Sequence, residues 1–217
     1  AIVVAAVTLF GTGATRTSWA QVVEMVQAAS QSAPCVHLRE QMRTSDREDF
    51  SFVDLSADPM AVEAWICWPK ESGDPGRARV EKKNRIYVFN GRETIHYRPQ
   101  IREASRFEGG KPRLDEFWPA AWLQRLVELP QGDARVVTRD EAAGRIVLHW
   151  NAPQLNGLPA AFFEDFEREV EIRWDPASRR LTGFERWVYD EGARRLFSEL
   201  LSIDYPPILP ESVFELD

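Results

Sequence analysis

From residue 35 onward the chain is written in short alternating apolar and polar runs, each closed by a turn signal. That punctuation restricts it to hairpin-linked antiparallel strands, because parallel strands need long helical crossovers between them. Val36 to Met42 reads as a strand with mixed faces, Phe50 to Leu55 as an alternating one, and Ala61 to Trp68 as a third, stopped by Pro69. After the turn at Ser72–Gly76, Arg77 to Phe89 sets Ala78, Val80, Ile86 and Val88 among charged neighbours. Asn90-Gly91 is a two-residue hairpin signal of the type I′ kind, and Thr94 to Arg106 is its partner. Pro99 interrupts that partner and marks an edge or a bulge.

The second half repeats the pattern. Val136-Val137 and Arg145 to Trp150 form a hairpin around Asp140–Gly144. Val170, Ile172 and Trp174 alternate with charged residues before the turn at Asp175-Pro176-Ala177-Ser178. Leu181–Tyr189 and Arg194–Tyr205 are two further strands, divided by Asp190-Glu191-Gly192. The count is nine to eleven strands in one antiparallel sheet.

Two segments carry helical rather than alternating periodicity. Ser18-Trp19-Ala20-Gln21 is a capping box, and Trp19, Val22, Val23, Val26 and Ala29 follow as one stripe, so residues 18–31 form an amphipathic helix. Pro34 lies beyond its end. Pro119 opens a second helix over 119–129, with Trp122, Leu123, Leu126 and Val127 on one face. Both helices need a partner surface.

The first ten residues, AIVVAAVTLF, hold no charge. As a helix they span only about 15 Å, half of a bilayer core. Three readings compete: the tail of a transmembrane helix, a signal peptide cut near Ser18-Trp19-Ala20, or a buried strand opening a dinucleotide-binding unit at Gly11-Thr12-Gly13. In the second, the polar stretch from Gly11 to Ser18 lies too far between the apolar run and the cut. The third lacks its last small residue, since Arg16 stands there, and no strand–helix alternation follows. The chain begins without Met, so the expectation is a membrane-anchor remnant and linker over 1–17 and one β domain over 18–217.

Charge and motif content exclude several functions. With a net charge of −7 and no concentrated basic patch, nucleic acid is not an expected partner. The longest basic cluster, Glu81-Lys82-Lys83-Asn84-Arg85, reads as a solvated strand or turn face. His37, His96 and His149 are scattered and fit no metal-ligand spacing, so no metal and no cofactor is expected. There is no nucleophile elbow. Carboxylate pairs such as Glu164-Asp165 are what 34 acids produce by chance. Cys35 and Cys67 face each other if their strands pair around residue 51; an oxidising compartment would then join them, and two buried free thiols are the alternative.

Aromatic content is the remaining signal: eight Trp and twelve Phe must fill a core, line a cavity or form a sticky surface. A sheet curled around an apolar interior would place Trp65, Phe89, Trp150, Trp174 and Trp187 on its lining, with Trp19, Trp122 and Leu126 supplied by the covering helices. A plainly packed core uses the same residues.

The order of elements resembles the LolA-like family, the periplasmic lipoprotein carriers and the extracytoplasmic domains of anti-sigma-factor-type regulators. The likeness rests on the Ser18–Val23 helix behind an apolar segment, Val36-His37-Leu38 as first strand, and Glu63–Pro69 leading to Arg77–Glu81. It continues through the Ile86–Gly91 hairpin, Tyr97-Arg98-Pro99, and the ending Ile203-Asp204-Tyr205-Pro206-Pro207-Ile208-Leu209-Pro210-Glu211-Ser212-Val213-Phe214-Glu215-Leu216. The resemblance implies an α+β, mostly β fold: a single curled antiparallel sheet forming an unclosed β-barrel, with two amphipathic helices packed on the open side around an apolar cavity. It also implies a non-enzymatic, extracytoplasmic domain that binds a hydrophobic ligand, a lipid or lipoprotein acyl chain, or acts as a membrane-tethered envelope sensor. A soluble periplasmic carrier is the alternative, and a nucleotide-binding or acid-pair enzyme the second. The apolar N-terminus favours the tethered form.

Overall fold

The alternating runs pair as their turns dictate. In a computed structural model, residues 18–43, 56–69, 75–108, 123–124, 126–129, 134–151, 167–190 and 192–216 are described. The readings for residues 1–17, the strand at Phe50–Leu55, Trp122 with the start of the second helix, and Glu164-Asp165 lie outside them.

One helix, α1 (Trp19–Gln31), precedes eleven strands: β1 (Cys35–Arg43), β2 (Pro59–Cys67), β3 (Arg77–Lys82), β4 (Arg85–Phe89), β5 (Glu93–Arg98) and β6 (Glu103–Glu108), then β7 (Ala134–Asp140), β8 (Arg145–Asn151), β9 (Glu167–Trp174), β10 (Leu181–Asp190) and β11 (Ala193–Asp204). All belong to one antiparallel sheet in the order β6-β5-β4-β3-β2-β1-β11-β10-β9-β8-β7. The order is linear, so the sheet is unclosed and half-barrel-like, with β6 and β7 as its edges.

Two expected single runs are each a hairpin. Arg77–Phe89 divides into β3 and β4 because Lys83 takes a positive φ of 36° in a two-residue turn that carries no glycine signal. Thr94–Arg106 divides into β5 and β6 at Pro99, where Arg102 sits at φ 53°. The turn at Asn90-Gly91 is present, but only Gly91 has a positive φ, 95°. The Asn90 side chain accepts from the amides of Arg92 and Glu93, so the loop is longer than a type I′ turn. Gly144, at φ 64°, could not be another residue: a Cβ there would lie 2.0 Å from the Trp174 carbonyl oxygen.

The capping box forms as expected, Ser18 Oγ accepting from the Gln21 amide at 3.3 Å and Gln21 Oε1 from the Ser18 amide at 2.8 Å. The helix buries Trp19, Ala20, Val22, Val23, Val26 and Ser30. Ser30, rather than the expected Ala29, ends the stripe because it bonds the sheet: its Oγ accepts from the Leu181 amide at 2.9 Å and lies 3.3 Å from Tyr205 Oη, to which its own hydroxyl can donate. Tyr205 donates to the Leu181 carbonyl at 2.8 Å, and burial pushes its pKa up to about 12, so it stays a donor.

The second helix is described only in part. Leu123, Gln124, Leu126 and Val127 are helical. Leu123 and Leu126 are buried in the same cluster as α1, and Gln27 Nε2 donates to Gln124 Oε1 at 3.0 Å. Among the described residues, one full α-helix and these helical residues beside it are present.

The strands bury alternate residues against α1. This inner face carries Val36, Leu38 and Met42 from β1, Val62, Ala64 and Ile66 from β2, and Ala78 and Val80 from β3. The other half supplies Ile146, Leu148, Trp150, Val170, Ile172 and Trp174. The opposite, outer face is mixed, with Trp65, Val88, Ile95, Val147 and Trp187 among its charged residues, and a 3-10 turn, Glu211–Phe214, packs on β3. There Arg79 donates to the carbonyls of Val213 at 3.1 Å and Glu215 at 2.8 Å.

Cys35 and Cys67 lie opposite one another in the β1–β2 register and are joined by a disulfide closing a sequence separation of 32. A loop of that size restricts the unfolded chain by about 3–4 kcal/mol. The Cys35→Ala/Cys67→Ala variant is expected to unfold at lower urea by that margin; equal midpoints with and without reductant would refute the contribution.

Candidate functional site

The inner face gathers most of the buried aromatic side chains, and its chemistry follows from strand parity. Trp19, Phe89, Leu126, Trp150 and Trp174 all lie in its common buried cluster. Trp65 and Trp187 do not. Alternation puts Trp65 on the outer face, between inward-facing Ala64 and Ile66, where it stacks on the His37 ring at 4.9 Å and 6°. Nε2 of His37 is in turn 2.7 Å from Glu63 Oε1. Trp187 pairs with outward-facing Glu169, and the Arg194 guanidinium lies 3.7 Å from its ring centroid. Glu169 holds Arg194 and accepts from Tyr189 Oη at 3.2 Å, while the Trp187 indole N–H is buried with no acceptor among the described residues.

The inner face is not uniformly apolar. The parity that buries Val170, Ile172 and Trp174 also turns Arg168 inward, and that of Phe184 and Val188 does the same for Arg186. Both arginines are 7 % exposed. Arg186 Nη2 donates to Glu40 Oε1 at 2.6 Å, its Nε donates to Ser198 Oγ, and its guanidinium lies 4.6 Å from the Phe197 ring centroid. Burial, with the Arg186 charge second, pushes Arg168 down to about 10, which still leaves it cationic at neutral pH. Register sets Trp150 opposite Arg168, and Arg168 opposite Val188. The indole N–H groups of Trp19 and Trp150 are buried with no acceptor among the described residues. A buried donor left without an acceptor costs about 1–3 kcal/mol, so an entering carbonyl, ester or carboxylate oxygen would be favoured at either position.

Among the described residues, no group of three His, Cys, Asp or Glu side chains is placed to hold a metal. No described helix is long and apolar enough to cross a membrane.

No family model matches the chain. No curated protein matches its sequence. Among solved structures, it is similar to an uncharacterized conserved protein from Thermus thermophilus, at 10% identity and a TM-score of 0.46, covering 91% of this chain and 93% of that one. It is also similar to a DUF1329 family protein from Desulfovibrio piger, at 10% identity and a TM-score of 0.32, covering 92% of this chain and 98% of that one.

Removing the Glu40 carboxylate leaves the Arg186 cation buried without it, and breaking such a pair costs about 3 kcal/mol. Glu40→Gln is expected to lower stability by that amount in urea unfolding, whereas Glu40→Leu with Arg186→Met restores most of it. Equal loss in the single and double variants would contradict a charge-pair origin.

Proposed function

We propose that this chain is an extracytoplasmic, non-enzymatic domain that holds a hydrophobic ligand, a lipid or acyl chain, against the inner face of its sheet, and that it serves as a membrane-tethered sensor or regulator of the cell envelope. The observation that carries the reading is the pair of buried indole donors, Trp19 and Trp150, on an inner face that is otherwise mostly apolar. An acyl chain supplies the apolar surface that this face requires, and its polar end supplies an acceptor. The unclosed sheet supports the reading, because its edges β6 and β7 are not hydrogen-bonded to each other and the sheet is not shut into a barrel.

The Cys35–Cys67 disulfide supports the compartment, since such bonds persist in oxidising surroundings outside the cytosol. The order of elements, which resembles LolA-like domains, supports the ligand class. The sensor role draws on the apolar segment at residues 1–10, which would anchor the domain beside the membrane whose lipids it samples.

Native mass spectrometry of the chain after gentle extraction is expected to show one acyl ligand per chain, and the delipidated chain is expected to take up cis-parinaric acid with energy transfer from Trp150. Leu126→Trp, which fills the inner face at a buried position, should reduce uptake while leaving the circular dichroism unchanged. A delipidated chain that takes up no acyl probe would remove the proposal.

A further inference from the structure

The chain carries a net charge of −7, yet one end of the inner face is basic. Beside edge strand β6 lies a pocket of about 320 Å³. Arg85, His96, Arg98, Ser105 and Phe107 line it, and Ile86 and Tyr97 complete the wall. The β3–β4 and β4–β5–β6 registers explain the assembly. They place Arg85 opposite Lys82, and His96 between Tyr87 and Ser105, all of them on the parity of the inner face.

Lys82 is 2 % exposed, so the basic run at residues 81–85 is not the solvated face expected from the sequence. One of its cations is buried and another lines a cavity. Among the described residues, no acidic side chain lines the pocket. Glu103 reaches Arg98 Nη2 at 2.7 Å but is itself 60 % exposed. Two aromatic contacts shape the wall: the His96 ring meets Tyr87 edge-on at 4.9 Å and Phe107 at 5.3 Å. Burial, with the Arg85 charge second, holds His96 below the ordinary imidazole range.

We propose that this pocket is an oxyanion-binding site, taking the phosphate or carboxylate of a ligand whose flat apolar part lies against His96 and Phe107. The two guanidinium groups supply charge-assisted hydrogen bonds, the Ser105 hydroxyl adds a neutral donor, and the ring walls accept an apolar body. The volume suits a substituted ring or a lipid headgroup with its first carbons. The site does not depend on the acyl-chain proposal, since an anion without an acyl chain would fill it.

Calorimetric titration of the folded chain with phenyl phosphate, and with benzyl alcohol as the neutral control, tests it. A single saturable site for phenyl phosphate and none for benzyl alcohol is expected. Arg85→Gln should weaken binding about tenfold, the loss of one charge-assisted hydrogen bond. Ser105→Glu, at an exposed position where folding is preserved, should abolish binding. Sedimentation with phosphatidylglycerol and phosphatidylcholine vesicles separates the sources. Retention on the anionic vesicles alone, lost in Ser105→Glu, assigns the oxyanion to a lipid headgroup. Phenyl phosphate binding without retention assigns it to a free ligand. The proposal is overturned if neither probe binds, or if both variants bind as the parent chain does.

Discussion

The pairing of β1 with β11 is the constraint on which the rest of the structure depends. It brings the first and last strands of the chain together at the middle of the sheet, with His37 opposite Asp204 and Met42 opposite Ser198. One hairpin array then runs outward from β1 to β6, and the other from β11 to β7. Both edges therefore belong to the middle of the sequence, and the chain must pass from one to the other between residues 108 and 134. Leu123 and Leu126, from within that stretch, are buried in the same cluster as α1. α1 is anchored beside the β1–β11 seam, through the bonds that Ser30 makes with Leu181 at the start of β10 and with Tyr205 just beyond β11.

A sheet organised in this way buries one face without a second sheet. The apolar residues on that face supply most of the stabilisation, at roughly 25 cal/mol per Å² removed from water. The inward Arg186 adds little net energy, because desolvating a guanidinium and a carboxylate offsets much of their attraction. Its value lies in register. With Glu40 on β1 and Ser198 on β11, it ties three adjacent strands, and a slip of one residue would break the group. Arg168, Trp150 and Trp19 leave polar atoms near the same surface, which a plain structural core would replace with apolar groups.

Much of this was legible in the sequence. The capping box at Ser18 and Gln21, the single antiparallel sheet and the facing of Cys35 and Cys67 follow from local patterns whose physical basis is short-range. What local pattern could not supply was of two kinds. The turn at Lys83 uses a positive φ on a long side chain, where no glycine or proline announces it. The site residues depend on parity and register together. Reading every aromatic side chain as inward put Trp65 and Trp187 on the wrong side, since each finds a stacking partner, His37 or Arg194, on the outer face. Conversely Arg168 and Arg186 share the parity of Val170 and Val188, a signal present in the sequence but masked by their charge. The pocket at Arg85, His96 and Ser105 joins three strands and could be seen only once their register was known.

The claim that the inner face is the working surface can be tested directly by photolabelling. A fatty acid carrying a diazirine along its chain, irradiated with the folded protein and mapped by peptide mass spectrometry, should label α1 and the inward positions of β8 and β9, with Trp19 and Trp150 among the modified residues. Labelling confined to Trp65 and Trp187 on the outer face, or scattered without saturation, would contradict the account.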